Sequence, residues 1–231
     1  RIFIMTSFYF KPNIHHVNIN NEITILDEIS DRYILLSEKQ SILLKEYMSD
    51  GSHNYVGDTM NLEGIISKES GTPLAKSTPS PQGVGILTWN SYVSTRLGIA
   101  SFFYISEAIM RMILVRKRLQ SKGFHHCLEH CRCALSQKSF PYISLKDKLI
   151  IGQKLSQSIK IAAPFIPGKV KCLEFSLVLF DMLVSRKISP TLFIGFQRYD
   201  FLSHAWLEID NEVVADQDNL KTRLTPIIRV G

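Results

Sequence analysis

The stretch that decides the fold runs from Pro167-Gly168-Lys169-Val170-Lys171-Cys172 through LEFSLVLFDMLVSR, ending at Arg186, and resumes as FLSHAWLEIDNEVVADQ from Phe201 to Gln217. In the first part Leu173, Leu177, Phe180, Leu183 and Val184 recur at helical spacing, which predicts a helix with Cys172 at or near its first turn. Unpaired backbone amides and the helix dipole favour negative charge there, and Lys169 and Lys171 add positive potential, so a thiolate is stabilised. The competing reading is a core cysteine, since free Cys packs like a small hydrophobe.

The second part alternates as a strand does, so His204, Trp206 and Glu208 share one face. The following strand, Glu212 to Gln217, carries Asp216. An odd-numbered loop centred on Asp210 would set His204 opposite Asp216 with Cβ atoms about 5 Å apart. A two-residue turn at Asp210-Asn211 would put the two on opposite faces unless a bulge intervenes. Alone, His204 reads as a hydrogen-bonded strand histidine and Asp216 as a turn-flanking carboxylate. Together with a helix-start cysteine they meet the needs of nucleophilic catalysis: a thiol, a base for its proton, and a carboxylate to orient and stabilise the imidazolium.

These residues resemble a known family. CLEFSLVLFDMLVSRKISPTLFIGFQ followed by FLSHAWLEIDNEVVADQ is similar to the transglutaminase-like cysteine protease domain of lasso-peptide B proteins, the leader peptidases of the microcin J class, over residues 165 to 228. The resemblance implies Cys172 as nucleophile, His204 as base and Asp216 as orienting carboxylate. Residues 1–70 are more loosely similar to the small winged-helix leader-recognition domain that accompanies this peptidase. The implied reaction is cleavage of the leader from the core of a ribosomally made precursor. A separate, ATP-using, asparagine-synthetase-like cyclase would then close the macrolactam. By the same analogy the strand Arg32, Tyr33, Ile34, Leu35, Leu36 would receive the leader as an added strand, with Leu62, Ile65 and Ile66 on a helix as the other wall. The plainer reading of these apolar residues is the core of a small domain.

Outward from this centre, Ile14–Ile19, Glu22–Leu26 and Arg32–Leu36 read as a strand meander with turns at Asn20-Asn21 and Ser30-Asp31. Ser37 and Gln40 have capping-box spacing ahead of a helix, and a weaker helical pattern runs from Met60 to Gly71. GTPLAKSTPSPQGVG, residues 71–85, reads as a linker, and 86–231 as the peptidase domain with long helices over Trp89–Leu119 and Leu145–Ile161. The expectation is therefore an α+β chain in which a papain/transglutaminase-like helix packs on an antiparallel sheet.

With 231 residues, 45% hydrophobic and 21% charged, the chain can bury a sizeable core, which excludes a disordered protein. The formal charge of +6 is scattered, which argues against nucleic acid as a partner. Glu107 and Arg111 interrupt the apolar run Gly98–Val115, so no transmembrane segment is expected. Four cysteines without a recognisable signal peptide suggest a reducing cytoplasm. His125, His126, Cys127, His130, Cys131 and Cys133 could bind a soft metal but lack a second ligand pair, so an irregular polar helix or loop is expected, with no metal. No phosphate-binding loop of the Gly-x-x-x-x-Gly-Lys-Ser/Thr kind is present, so the chain is expected to have no cofactor of its own, any ATP being used by the cyclase. Two rival functions share these residues: a transglutaminase-like acyltransferase, and a noncatalytic module presenting the precursor.

Overall fold

Two turns of one kind set the registers on which both main sheets depend. Asn20-Asn21 and Asp210-Asn211 hold all four residues at positive φ, between 48° and 73°. Asn and Asp tolerate this left-handed region, and a two-residue hairpin matched to strand twist requires it. The computed structural model describes residues 8–50, 64–84, 99–218 and 220–231. It divides into two compact units, Arg1–Ser80 and Pro81–Gly231.

In the first unit, β2 (Ile14–Ile19), β3 (Glu22–Asp27) and β4 (Arg32–Leu35) form the expected meander, preceded by the short β1 (Tyr9–Phe10). Ser37 and Gln40 cap α1 (Glu38–Asp50) reciprocally: the Ser37 amide donates to Gln40 Oε1 at 3.0 Å and the Gln40 amide to Ser37 Oγ at 3.4 Å. Leu44 and Met48 of this helix join Ile23, Ile25, Phe8, Phe10, Ile14, Leu36 and Ile65 in one core. The second helix expected from Met60 to Gly71 lies outside the described residues as far as 63. Beyond that, Ile66–Ser67 is a strand, β5, paired with β1, so Ile66 is on a ribbon and not on a helix.

The stretch 71–85 is tied down along its described length instead of hanging free. Thr72 and Phe10 exchange backbone hydrogen bonds of 2.9 Å, and Ser77–Thr78, β6, adds in parallel to β2, giving the sheet order β4-β3-β2-β6. Past the division at Ser80, Gly83 bonds Arg223 and the Val84 amide donates to Gln197 Oε1 at 2.7 Å, both within the second unit. A Pro-rich segment still carries amides and carbonyls that need partners, and these are where they go.

The second unit is built around α4 (Cys172–Ser185), whose residues Phe175 to Phe180 and Met182 to Val184 are all buried. A helix apolar on every side must be covered on every side. The antiparallel sheet β10-β7-β8-β9 covers one flank: β7 (Thr191–Gln197), β8 (Leu202–Ile209), β9 (Glu212–Val214) and β10 (Thr225–Val230). The helices α2 (Ile99–Ser136) and α3 (Leu145–Ala162) pack on α4 as well. Gly123, at φ 81° and ψ −179°, breaks α2 into two limbs. The His125–Cys133 cluster is a regular helical limb, not a loop, because Phe124, Cys127, Leu128 and Cys131 supply it with a buried face. The short helix α5 (Leu220–Arg223) leads into β10, a strand the periodicity does not reveal; Pro226, paired with Gly195, falls beside its register shift. Among the described residues, no helix is long and apolar enough to cross a membrane.

One buried titratable group gives the first unit a pH dependence. His16 stacks on Phe10 at 4.0 Å, and its Nε2 accepts the Ala75 amide at 2.9 Å, so the ring is neutral. Burial lowers its pKa to about 4, against a partly offsetting bond to Pro73. The unfolded chain therefore binds a proton that the folded one refuses, and stability complete above pH 6.5 is lost as pH falls toward 4. Between pH 7 and 5 the wild type should lose about 2 kcal/mol more than His16→Gln, measured from urea midpoints; equal losses would remove His16 as the cause.

Candidate active site

The start of α4 is held from three sides. Gly168, at φ 78°, turns the chain, and Lys171 takes an extended conformation as N-cap. Its amide donates to Glu174 Oε2 at 2.9 Å, satisfying one of the donors a helix start leaves open. Arg116 of α2 then forks onto Glu174, from Nε to Oε1 at 3.0 Å and from Nη2 to Oε2 at 3.1 Å, and donates to the carbonyls of Pro167 and of Lys169. A planar guanidinium with five donors suits such a clamp, which fixes the loop preceding Cys172.

The opposite wall is the β8–β9 hairpin, whose turn is the two-residue one. Leu207 faces Val214, Glu208 faces Val213 and Ile209 faces Glu212. Continued, that register would set Gln217 across from His204 and send Asp216 to the other face. Pairing stops at Val214, however, and Ala215 takes φ 71°, which only a minority of non-glycine residues adopt. This left-handed residue does the work of a bulge. Asp216 Oδ2 lies 2.6 Å from His204 Nε2, while its Oδ1 accepts the Gln217 amide at 2.9 Å. With Nε2 occupied by the carboxylate, Nδ1 is left for the Cys172 thiol, with which His204 shares a further hydrogen bond.

The electrostatics follow from burial and pairing. Burial by itself would push the Cys172 thiol up, but hydrogen bonds from His204 and the Ala205 and Leu173 backbone, with the His204 charge, bring it below the ordinary thiol range. Burial would likewise lower His204, 4% exposed; the Asp216 and Cys172 partners outweigh it and raise its pKa to about 9. The two shifts run in opposite directions, the thiol down and the imidazole up, each partner favouring the charged form of the other. Lys160 of α3, whose own pKa burial lowers, lies close enough to Asp216 to feel its charge.

Cys172, His204 and Asp216 come together from three separate elements. Of the residues expected to bind a peptide, Arg32, Tyr33, Ile34 and Leu35 lie on β4, which pairs only with β3 among the described residues. Leu35 is 41% exposed; Leu36 and Ile65 belong to the core of the first unit, Ile34 and Ile66 pack against it, and Leu62 lies outside the described residues. Cys127 and Cys131 are buried with their thiols pushed up by burial, and Cys133 is exposed. Sequence reasoning missed Arg116 and Ala215. Glu174, three residues after the cap position, carried the spacing of an N-terminal acid, whereas Arg116 lies 58 residues from its partner and had no local signal.

The sequence profile of the transglutaminase-like superfamily matches residues 111–229, more than half of the chain and the whole of this cluster. The microcin J25-processing protein McjB of Escherichia coli is 23% identical over 218 residues, which cover 90% of this chain and 95% of that protein. No solved structure matches.

The thiol makes the first test independent of any substrate. Iodoacetamide at pH 7 should modify Cys172 several-fold faster than the exposed Cys133, and His204→Ala should abolish that advantage, both read by peptide mass spectrometry. Raising the pH through about 9 should remove the imidazolium, so the ratio of the two rates should fall there. Replacing Arg116 by Met, which frees the loop before Cys172, should slow the same reaction and lower the melting temperature by a few degrees.

Proposed function

The chain belongs to the transglutaminase-like superfamily, and from that premise we propose that it is a cysteine peptidase that removes the leader from a ribosomally made lasso-peptide precursor. The single observation that carries this reading is the grouping of the Cys172 thiol, the His204 ring and the Asp216 carboxylate, with the carboxylate 2.6 Å from the ring. Likeness to a microcin-processing protein along nearly the whole of both chains supports the choice of substrate class.

In the proposed reaction the Cys172 thiolate adds to the carbonyl carbon of the leader–core peptide bond. The Cys172 backbone amide, at the first turn of α4, donates to the oxygen on which charge develops. As the C–N bond breaks, His204 hands its proton to the departing amine of the core, leaving the leader as a thioester on Cys172. Water then gives a proton to His204 and adds to the thioester carbonyl, and the C–S bond breaks to return the thiolate and a free leader carboxylate. Asp216 stays ionised throughout and stabilises the imidazolium. The freed core amine is the group that a separate ATP-using cyclase would join to an Asp or Glu side chain.

The first unit takes the recognition role in this proposal, as a domain of winged-helix kind. The leader would add to the outer edge of β4, backbone hydrogen bonds giving affinity and side-chain contacts giving selectivity. Leu35, which points out of the core at 41% exposure, is its natural apolar contact. An acyltransferase would form the same thioester and pass it to an amine, so weighing the products separates the two, since hydrolysis adds one water.

With a leader-bearing precursor, Cys172→Ala and His204→Ala should abolish cleavage while leader binding persists; turnover by either would sink the relay. Asp216→Ala should impair less completely, because it makes no bond. Leu35→Lys should cost about 1 kcal/mol of leader affinity, roughly fivefold in KM, at unchanged kcat. An unchanged KM would remove the β4 edge from the recognition surface.

A further inference from the structure

The bond from Asp216 fixes one nitrogen of His204 and leaves the ring plane to be set by something else. The terminal torsion of a histidine is broad, so a single hydrogen bond at one corner does not determine where Nδ1 points. On a strand, the next side chain on the same face is two residues along, and here it is Trp206. Its indole lies nearly parallel to the imidazole, with 12° between planes and 6.4 Å between centroids. Phe193 of β7, its cross-strand neighbour, also stacks on the indole, at 5.4 Å and 12°. The floor beneath is Gly195, cross-strand from His204, where a Cβ would meet indole Cη2 and Cζ3 at 2.8 Å; only a residue without a side chain leaves that space.

What stops the indole from sliding is a third residue of the same row. Trp206 Nε1 donates to Glu208 Oε1 at 3.0 Å, and the other carboxylate oxygen of Glu208 pairs with Lys221 of α5. Glu208 is 1% exposed and Trp206 is 1% exposed. A carboxylate buried this deeply is costly, and a face that merely needed filling would carry an apolar side chain. An indole has one donor and no acceptor, so the acceptor placed two residues beyond fixes its rotation about the strand. The row His204, Trp206, Glu208 thus ends in a charge anchored by a cation, with the reactive ring at its far end.

We propose that Trp206 and Glu208 are positioning residues for His204, holding the plane of the imidazole so that Nδ1 faces the Cys172 sulfur. This rests on the reading of Cys172 and His204 as a working pair, and deepens it. Neither residue touches a reacting atom; each acts through the ring. Loss of the tether lets the imidazole swing, thins the population of the thiolate–imidazolium pair and raises the pH at which the thiol becomes reactive.

The test is the pH profile of Cys172 alkylation by iodoacetamide in the full chain, which needs no precursor. Trp206→Phe keeps a ring and loses the N–H, and Glu208→Leu removes the acceptor. Each should move the midpoint of the profile upward by about one unit and slow alkylation at pH 7 roughly tenfold, since one unit is a tenfold change in population. Glu208→Gln, which keeps an acceptor for the indole, should restore the profile relative to Glu208→Leu. A merely structural role would lower the melting temperature of all three without moving the midpoint, and that result overturns the proposal. A wild-type Cys172 with no enhanced reactivity would instead overturn the catalytic pair itself, so the two failures are distinct. Should the substituted proteins not fold, NMR of the wild type decides: the Trp206 indole proton should exchange slowly and its resonance should move with the His204 titration near pH 9. Exchange at the rate of a free indole, or a resonance that stays fixed, also overturns the proposal.

Discussion

The 2.6 Å contact between His204 and Asp216 is the constraint around which the second unit is arranged. Both side chains are nearly out of water, with 4% and 10% of their surfaces exposed, and a charge in that setting is tolerable only with a partner in hydrogen-bonding range. The carboxylate allows the imidazole to keep a proton to about pH 9, and the imidazolium in turn draws the Cys172 thiol toward its ionised form. Each member supplies the charge that the next requires. The electrostatic bias thus belongs to the trio, and the fold must deliver three side chains from a helix start, a strand and a strand end to one point.

That delivery relies on unequal kinds of support. The helix start is secured by a guanidinium reaching from a helix more than fifty residues earlier, which ties the loop carbonyls of Pro167 and Lys169 and the carboxylate of Glu174 together. The strand is secured from behind, where the Ser176 hydroxyl of α4 donates to the Ala205 carbonyl at 2.9 Å. The helix that carries Cys172 and the strand that carries His204 are therefore linked by a side-chain-to-backbone bond beside the site as well as through the contact of those two residues. Neither support would be expected from the chemistry alone.

Legibility in the sequence divides along the same line. The meander, its two-residue turn at Asn20-Asn21, the cap at Ser37 and the helix from Cys172 follow from local period and turn chemistry, and the structure has them within a residue or so; β3 and β4 are joined by four residues, Glu28 to Asp31. Alternation along Phe201–Ile209 was enough to place His204, Trp206 and Glu208 on one face. The means by which Asp216 meets His204 was not legible, because an odd loop and a bulge after a tight turn give the same contact and differ only in the φ of Ala215. The helical reading of Ile66 failed because two apolar neighbours fit either period; pairing of Ile66 and Ser67 with Phe10 and Tyr9, far off in sequence, decided for the strand. β10 escaped notice because its proline hides the alternation.

Ala215 also has a meaning for how such a hairpin can vary. The rim of the hairpin, Asp210 to Val213, can change composition so long as its two left-handed positions remain occupied by residues that tolerate them. Its length cannot change in the same way. Dropping Ala215 would shift every later residue by one place against β8, so that on the register pairing Leu207 with Val214 it is Asp218 that would stand across from His204, with Gln217 across from Ala205 on the other face. The placement of a carboxylate beside His204 thus depends on a residue count, and in this part of the chain insertions and deletions are a harsher form of variation than substitutions.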